Sequence, residues 1–231
     1  MTMMYPFFDP TMVLLIPAMI FSMWAQFKVK GTFAKYSEIR ARRGVSADQV
    51  SRALLDKFGL QGIRVERIAG DLTDHYDPGA KVLRLSDSVA GNTSIAAIGV
   101  AAHEVGHAIQ DKEGYAFLRF RNTIVPVVNI GSMLSMPLFL IGLLMGSLNL
   151  LNLGILLFCG VLVFHLVTLP VEFDASARAL KLLSETGLLA GDEIGGAKSV
   201  LDAAALTYVA ALVMTILQLV RLLALRGMRR D

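Results

Sequence analysis

Cysteine is nearly absent from this chain of 231 residues. Cys159 is the only one, so no intramolecular disulfide can form, and a reducing compartment suits the chain. Charge is missing from a long internal stretch: residues 123–171 contain no Asp, Glu, Lys or Arg, whereas 28–122 are rich in all four. A large basic excess is lacking too. The net charge is +3, which needs no nucleic-acid partner and is accounted for by Lys and Arg flanking apolar segments. The N-terminus has neither a basic region ahead of its first apolar stretch nor an obvious small-residue cleavage site, so that stretch is read as a retained anchor rather than a cleaved signal. Repeats and low-complexity tracts are absent.

What is abundant is apolar. Hydrophobic residues make up 55% of the chain, and four segments reach the roughly 20 residues needed to span a bilayer. They are 7–27, 123–146, 149–171 and 203–225. The second and third are separated by only a few residues and predict an antiparallel hairpin. Pro17 predicts a kinked or interfacial start to the first. Gln218 and Arg221 lie near the end of the fourth, where the arginine can snorkel. If all four segments cross, Lys28, Lys30, Lys35, Arg40, Arg42, Arg43, Arg119, Arg121, Arg178, Lys181 and Lys198 fall on one side, and the positive-inside rule makes that side cytoplasmic. Arg226, Arg229 and Arg230 are the exception, since the same topology leaves them outside.

The remaining chain divides into an α+β domain at 28–122 and a helix with connector at 172–202. In the domain, 32–43 reads as a helix, and 46–58 as a second, opened by a Ser46/Gln49 capping box and closed by Gly59. Residues 63–68 alternate like a strand. Residues 72–76 and 81–86 are expected to pair across the turn-forming tetrad Asp77-Pro78-Gly79-Ala80. A helix then runs over 94–111.

That last helix carries the chemistry. It contains His103-Glu104-Val105-Gly106-His107. Two histidines four apart share a helix face, close enough for both rings to reach one Zn²⁺, and Glu104 at the edge of that face is placed to act as general base on a zinc-bound water. An HExxH string also arises by chance. The apolar, small-residue flank 95–102 argues for a buried helix, in which two histidines and a glutamate are costly unless they coordinate or pair. A catalytic zinc needs a third ligand. The downstream acids are Asp111, Glu113, Glu172, Asp174, Glu185, Asp192, Glu193 and Asp202. Glu172 is the best placed, because two membrane crossings after His107 return the chain to the side it left. The alternative for Glu172 is a plain interfacial carboxylate. Pro170 is expected to open a new helix there.

The HExxH string, Leu169-Pro170-Val171-Glu172-Phe173-Asp174-Ala175-Ser176, Thr73-Asp74-His75-Tyr76-Asp77-Pro78 and residues 201–211 together resemble the YugP-like membrane zinc metallopeptidases of bacteria. The resemblance covers nearly the whole chain. It implies a neutral zinc metallopeptidase of the bacterial inner (cell) membrane, with Glu172 as third zinc ligand. More distantly the chain is similar to HtpX/Ste24-type gluzincins. In those, an Asp four residues after the ligand Glu orients a histidine; here Ser176 stands at that position and Asp174 two after the Glu. Ser176, or Asp111 one turn after His107, is a candidate for the orienting role.

Further candidates are weaker. The strand 81–86, read as a sheet edge, would take extended substrate by β-augmentation. His75 or Tyr76 could donate to an oxyanion or simply cap the turn. His165 shares a helix face with Glu172 and is a further donor or an intramembrane polar contact. Arg178 is a transition-state donor or a solvated charge. Gly131, Ser132, Ser135 and Gly142 suit close helix packing.

The reading is therefore a mainly α-helical integral membrane protein of about four transmembrane helices with a small α+β gluzincin-like catalytic domain. Its expected function is a zinc metalloendopeptidase, with the site facing the cytoplasm, the lipid bilayer as surroundings and membrane-associated proteins or peptides as substrates. The alternatives are a zinc-bound membrane scaffold or assembly factor without turnover, and a metal-handling membrane protein.

Overall fold

The computed structural model describes residues 10–228. The predicted start of the first apolar segment at residue 7, and Arg229 and Arg230, lie outside the described residues. A 3-10 helix, Pro10–Leu15, leads into α1, Ile16–Ser37. Then come α2 (Ala47–Lys57), β1 (Arg64–Ile68), β2 (His75–Asp77), β3 (Val82–Ser86), α3 (Ile95–Glu113), α4 (Ala116–Met145), α5 (Leu148–Glu185) and α6 (Asp192–Gly227). The protein is mostly helical with one small mixed sheet.

Four of its helical stretches are long and apolar enough to cross a membrane: Pro10–Ser37, Ala116–Met145, Leu148–Glu185 and Asp192–Gly227. They present large apolar side chains outward, among them Phe27, Val127, Leu144 and Leu156. An apolar surface of that extent is what lipid covers. All four run further than composition suggests. The 38 residues of α5 span roughly 57 Å at 1.5 Å per residue, about twice the hydrocarbon thickness. Residues 32–37 likewise continue α1 instead of forming a separate helix. Pro17 sits in the first turn of α1, where the 3-10 helix gives way to the α-helix. Pro170 does not open a new helix; it lies inside α5.

The chain forms two compact units. Among the described residues one comprises 10–25, 120–169 and 207–228. Within it α4 and α5 form the expected antiparallel hairpin, turning at Gly146 and Ser147. Its packing rests on small residues. A Cβ on Gly142 would meet the Leu151 nitrogen at 2.7 Å, and one on Gly154 would meet the Ser135 carbonyl oxygen at 2.8 Å. The buried Ser135 hydroxyl donates to the Gly154 carbonyl at 2.9 Å, which satisfies it without water. Gly131, by contrast, has room for a side chain, and the Ser132 hydroxyl donates to its own helix at Asn129.

The other unit comprises Gln26–Arg119 and Pro170–Leu206. Its core gathers one face of α2 (Val50, Leu54, Leu55), the inner side of the sheet (Leu83, Leu85) and α3 residues Ile98, Ala101, Ala102, Val105 and Ile109. Ala179, Leu183, Ala197 and Leu201 close it. The α2 capping box is formed as expected: the Ser46 hydroxyl accepts from the Gln49 N–H, and the Gln49 side chain accepts from the Ser46 N–H. Ser94 caps α3 in the same way, accepting from the Ala97 N–H.

The sheet order is β1-β3-β2, with β1 parallel and β2 antiparallel to β3. The hairpin pairs a shorter, later strand than expected, His75–Asp77 instead of 72–76. Its turn is held by Asp77, whose Oδ1 accepts from the Gly79 and Ala80 N–H groups. The order also overturns the expectation of an edge at 81–86. β3 is the central strand, its two sides occupied by β1 and β2, so it has no open edge to offer a substrate. Its burial follows from that position: Val82, Leu83 and Leu85 are fully buried.

Candidate metal centre

The HExxH helix, α3, runs through the core of the second unit. Every residue from Glu104 to Gln110 is buried. Burying three such polar side chains demands partners, and α5 supplies them. It can approach because Gly106, the small residue between the two histidines, has no side chain: α5 passes over it at Ala175. Glu172 lies almost one turn before Ala175 on α5 and so arrives over the histidine pair.

His103, His107 and Glu172 each offer a ligand atom, and these atoms lie within 4.8 Å of one another. Glu172 Oε2 stands 3.2 Å from His103 Nε2 and 3.4 Å from His107 Nε2. Tetrahedral ligands at zinc-to-nitrogen and zinc-to-oxygen distances of about 2.0–2.1 Å are themselves separated by roughly 3.3 Å. Two imidazoles and one carboxylate are also a donor set that zinc accepts, with a fourth position left over. The residues therefore fit the ion in both chemistry and spacing. Their field favours a cation: burial alone pushes the His107 pKa down, but its bond to Glu172 and the nearby Glu104 charge outweigh this and leave it raised.

Glu104 is held beside this cluster by β2. Its Oε2 accepts from the Tyr76 backbone N–H at 2.9 Å. The Tyr76 phenol in turn donates to Asp111 Oδ2 at 2.7 Å, and Lys81 Nζ reaches the same oxygen. Asp111 thus meets the sheet rather than a histidine. Burial and the Asp111 bond together push the Tyr76 pKa up, so the phenol is a donor throughout the physiological range. His75 is engaged on the sheet: Nδ1 with the Thr73 carbonyl at 2.9 Å, Nε2 with Arg84 at 3.2 Å.

Around the histidines, Ser176 Oγ lies 3.1 Å from His103 Nδ1, while His107 Nδ1 meets Gln110 Oε1 at 2.9 Å. Asp174 reaches this shell indirectly, accepting from Gln110 at 2.8 Å. Arg178 is partly exposed and is clamped between Asp174 and Glu113, at 2.5 Å from each. His165 belongs to the other unit, where its ring packs edge-on against Phe164. Sequence reasoning did not single out Gln110. Its signal was present, three residues beyond His107 and on the same helix face.

A family described as "Putative neutral zinc metallopeptidase" matches residues 11–227. The chain is also 50% identical over 208 residues to the "Putative membrane protease YugP" of Bacillus subtilis (strain 168), covering 90% of this chain and 92% of that protein. No solved structure gives a significant match.

Proposed function

The chain belongs to the neutral zinc metallopeptidase family, and from that premise we propose that it is a membrane-embedded zinc endopeptidase. The observation that supports this best is the convergence of three ligand atoms within 4.8 Å beside a glutamate held by a backbone amide. In this reading His103, His107 and Glu172 hold the ion. When bound, zinc supplies a Lewis acid that acidifies a water molecule and polarises a carbonyl.

The chain's own residues do the rest. The Tyr76 N–H holds Glu104 Oε2, so Oε1 is the oxygen left to take a proton from water. The water adds to the carbonyl carbon of the scissile peptide, and Glu104 returns the proton to the leaving amine. Burial of the cluster strengthens each of these electrostatic contacts. A purely structural site would gain nothing from an anchored carboxylate beside a three-ligand set.

Glu172 is the first charged residue after the uncharged stretch 123–171. The site therefore belongs near the membrane surface, with membrane proteins or membrane-proximal segments as substrates. The basic residues at 28–43, 119–121 and 178–198 support a cytoplasmic side for that surface by the positive-inside rule. The proposed division is a catalytic domain at 28–122, spans at 7–27, 123–171 and 203–225, and a segment at 172–202 that contains the end of α5, a connector and the start of α6.

The test is cleavage of a panel of membrane proteins by purified full-length protein and by Glu104→Gln. Wild type is expected to cleave, and Glu104→Gln to lose about 10²–10⁴-fold while keeping its zinc. Equal cleavage by both forms, or zinc-loaded wild type that cleaves nothing in the panel, would overturn the proposal.

A further inference from the structure

Gln110 is fully buried on α3, and each of its polar atoms has a defined partner. The amide nitrogen lies 2.8 Å from the Val171 carbonyl oxygen and 2.8 Å from Asp174 Oδ2. Both of those atoms are acceptors, and Asp174 is an ion-paired carboxylate because Arg178 Nε stands 2.5 Å from the same oxygen. The amide therefore has one allowed orientation. Turning it over would set its oxygen against two acceptors and leave a buried NH₂ facing the ring.

The amide oxygen consequently faces His107 Nδ1 at 2.9 Å. An amide oxygen can only accept, so Nδ1 carries the hydrogen and Nε2 is the nitrogen left for coordination, on the side of Glu172. We infer that Gln110 is a positioning residue that sets the tautomer and ring orientation of His107, and that Asp174 and Arg178 act through it. This rests on the zinc reading of the site. In many metal centres a carboxylate makes this contact directly. Here a neutral amide stands between the ring and the acid, and the acid's charge is balanced by Arg178, which is paired in turn with Glu113. Glu172 is the one carboxylate in the ligand set, and the atom that meets His107 Nδ1 belongs to a neutral amide.

The experiment uses full-length protein in detergent. Zinc affinity is measured by competition with a chromophoric chelator, and the visible spectrum is recorded after loading with Co²⁺. The variants are Gln110→Ala and the near-isosteric Gln110→Met, which keeps the volume but gives Nδ1 no amide oxygen. Both are expected to lower zinc affinity about 10–100-fold and to alter the Co²⁺ spectrum. Wild-type affinity and spectrum in folded Gln110→Ala would overturn the inference alone. Should Gln110→Ala not fold, Gln110→Met decides: a loss of about tenfold or more with an altered Co²⁺ spectrum supports the inference, and wild-type affinity and spectrum overturn it. Wild-type protein that binds no zinc would overturn the zinc reading itself and this inference with it.

Discussion

Gly106 and Ala175 approach so closely that a Cβ added to Gly106 would stand 2.6 Å from the Ala175 carbonyl oxygen and 3.1 Å from its Cα. The obstacle is backbone, which cannot swing aside as a side chain does. Separation of α3 from α5 is the remaining way to relieve it, and Glu172 travels with α5.

Gly106→Ala is therefore expected to destabilise the protein by about 1–3 kcal/mol, the usual range for overpacking. It should also weaken zinc binding, although no ligand has been changed. Gly195→Ala is the control: that residue is exposed on α6 with nothing within 4 Å of the added atom, and the substitution should be neutral or slightly stabilising. Thermal unfolding in detergent and metal analysis of both variants check the contrast.

Glu172→Ala removes one of the three proposed ligands and leaves His103 and His107 without their shared carboxylate. Its loss of zinc affinity should exceed the roughly 10–100-fold typical of an outer-shell partner. Ser176→Ala, which alters only the contact to His103 Nδ1, should stay within that range. Stoichiometric, tightly held zinc in Glu172→Ala would remove Glu172 as a ligand.

The Tyr76 phenol has its pKa raised by burial and by Asp111. A group with a raised folded-state pKa contributes stability that is fully present below the unfolded value, 10.0 here, and is lost as pH rises through the folded value. Wild type should therefore lose stability above about pH 10, and Tyr76→Phe should lack that component of the decline. Phenolate absorbance near pH 10 should be the same in wild type and Tyr76→Phe, because Tyr76 does not titrate there. Near neutral pH, Tyr76→Phe should cost about 0.5–1.5 kcal/mol for the bond to Asp111. The backbone N–H that holds Glu104 remains in place.

Glu193 is buried in the first turn of α6. It accepts from the Arg42 N–H at 2.7 Å through Oε1 and from the Ala190 N–H at 3.0 Å through Oε2. Glu193→Ala orphans both donors, and destabilisation of about 1–3 kcal/mol is expected. Zinc stoichiometry should not change. Unfolding and metal content measured on the same preparation separate this effect from that of Glu172→Ala.

Local regularities were readable without a structure. The i, i+4 spacing of His103 and His107 settles that their side chains share a face, because helix geometry is the same in any context. The Ser46/Gln49 capping box, the Asp77 turn and the four apolar stretches are likewise local properties of composition and spacing. Even Glu172, distant in sequence, could be brought back by counting crossings, since a bilayer restricts where a chain can re-emerge.

What depended on non-local packing was not readable. Whether 81–86 was an edge or the centre of the sheet turned on β1 pairing in parallel with it, across an intervening strand, and no local pattern encodes that choice. Pro170 could open a helix or lie within one, and the structure takes the second course. The amide of Gln110 has a meaning only beside Val171 and Asp174, which arrive on another helix more than sixty positions later. The sequence by itself determined the residue types, their helical phase and the apolar stretches, because those follow from short-range geometry and solvent preference. Tertiary structure decided which polar atoms meet, because burial forces each one to find a partner and only the packing of α3 against α5 at Gly106 says which.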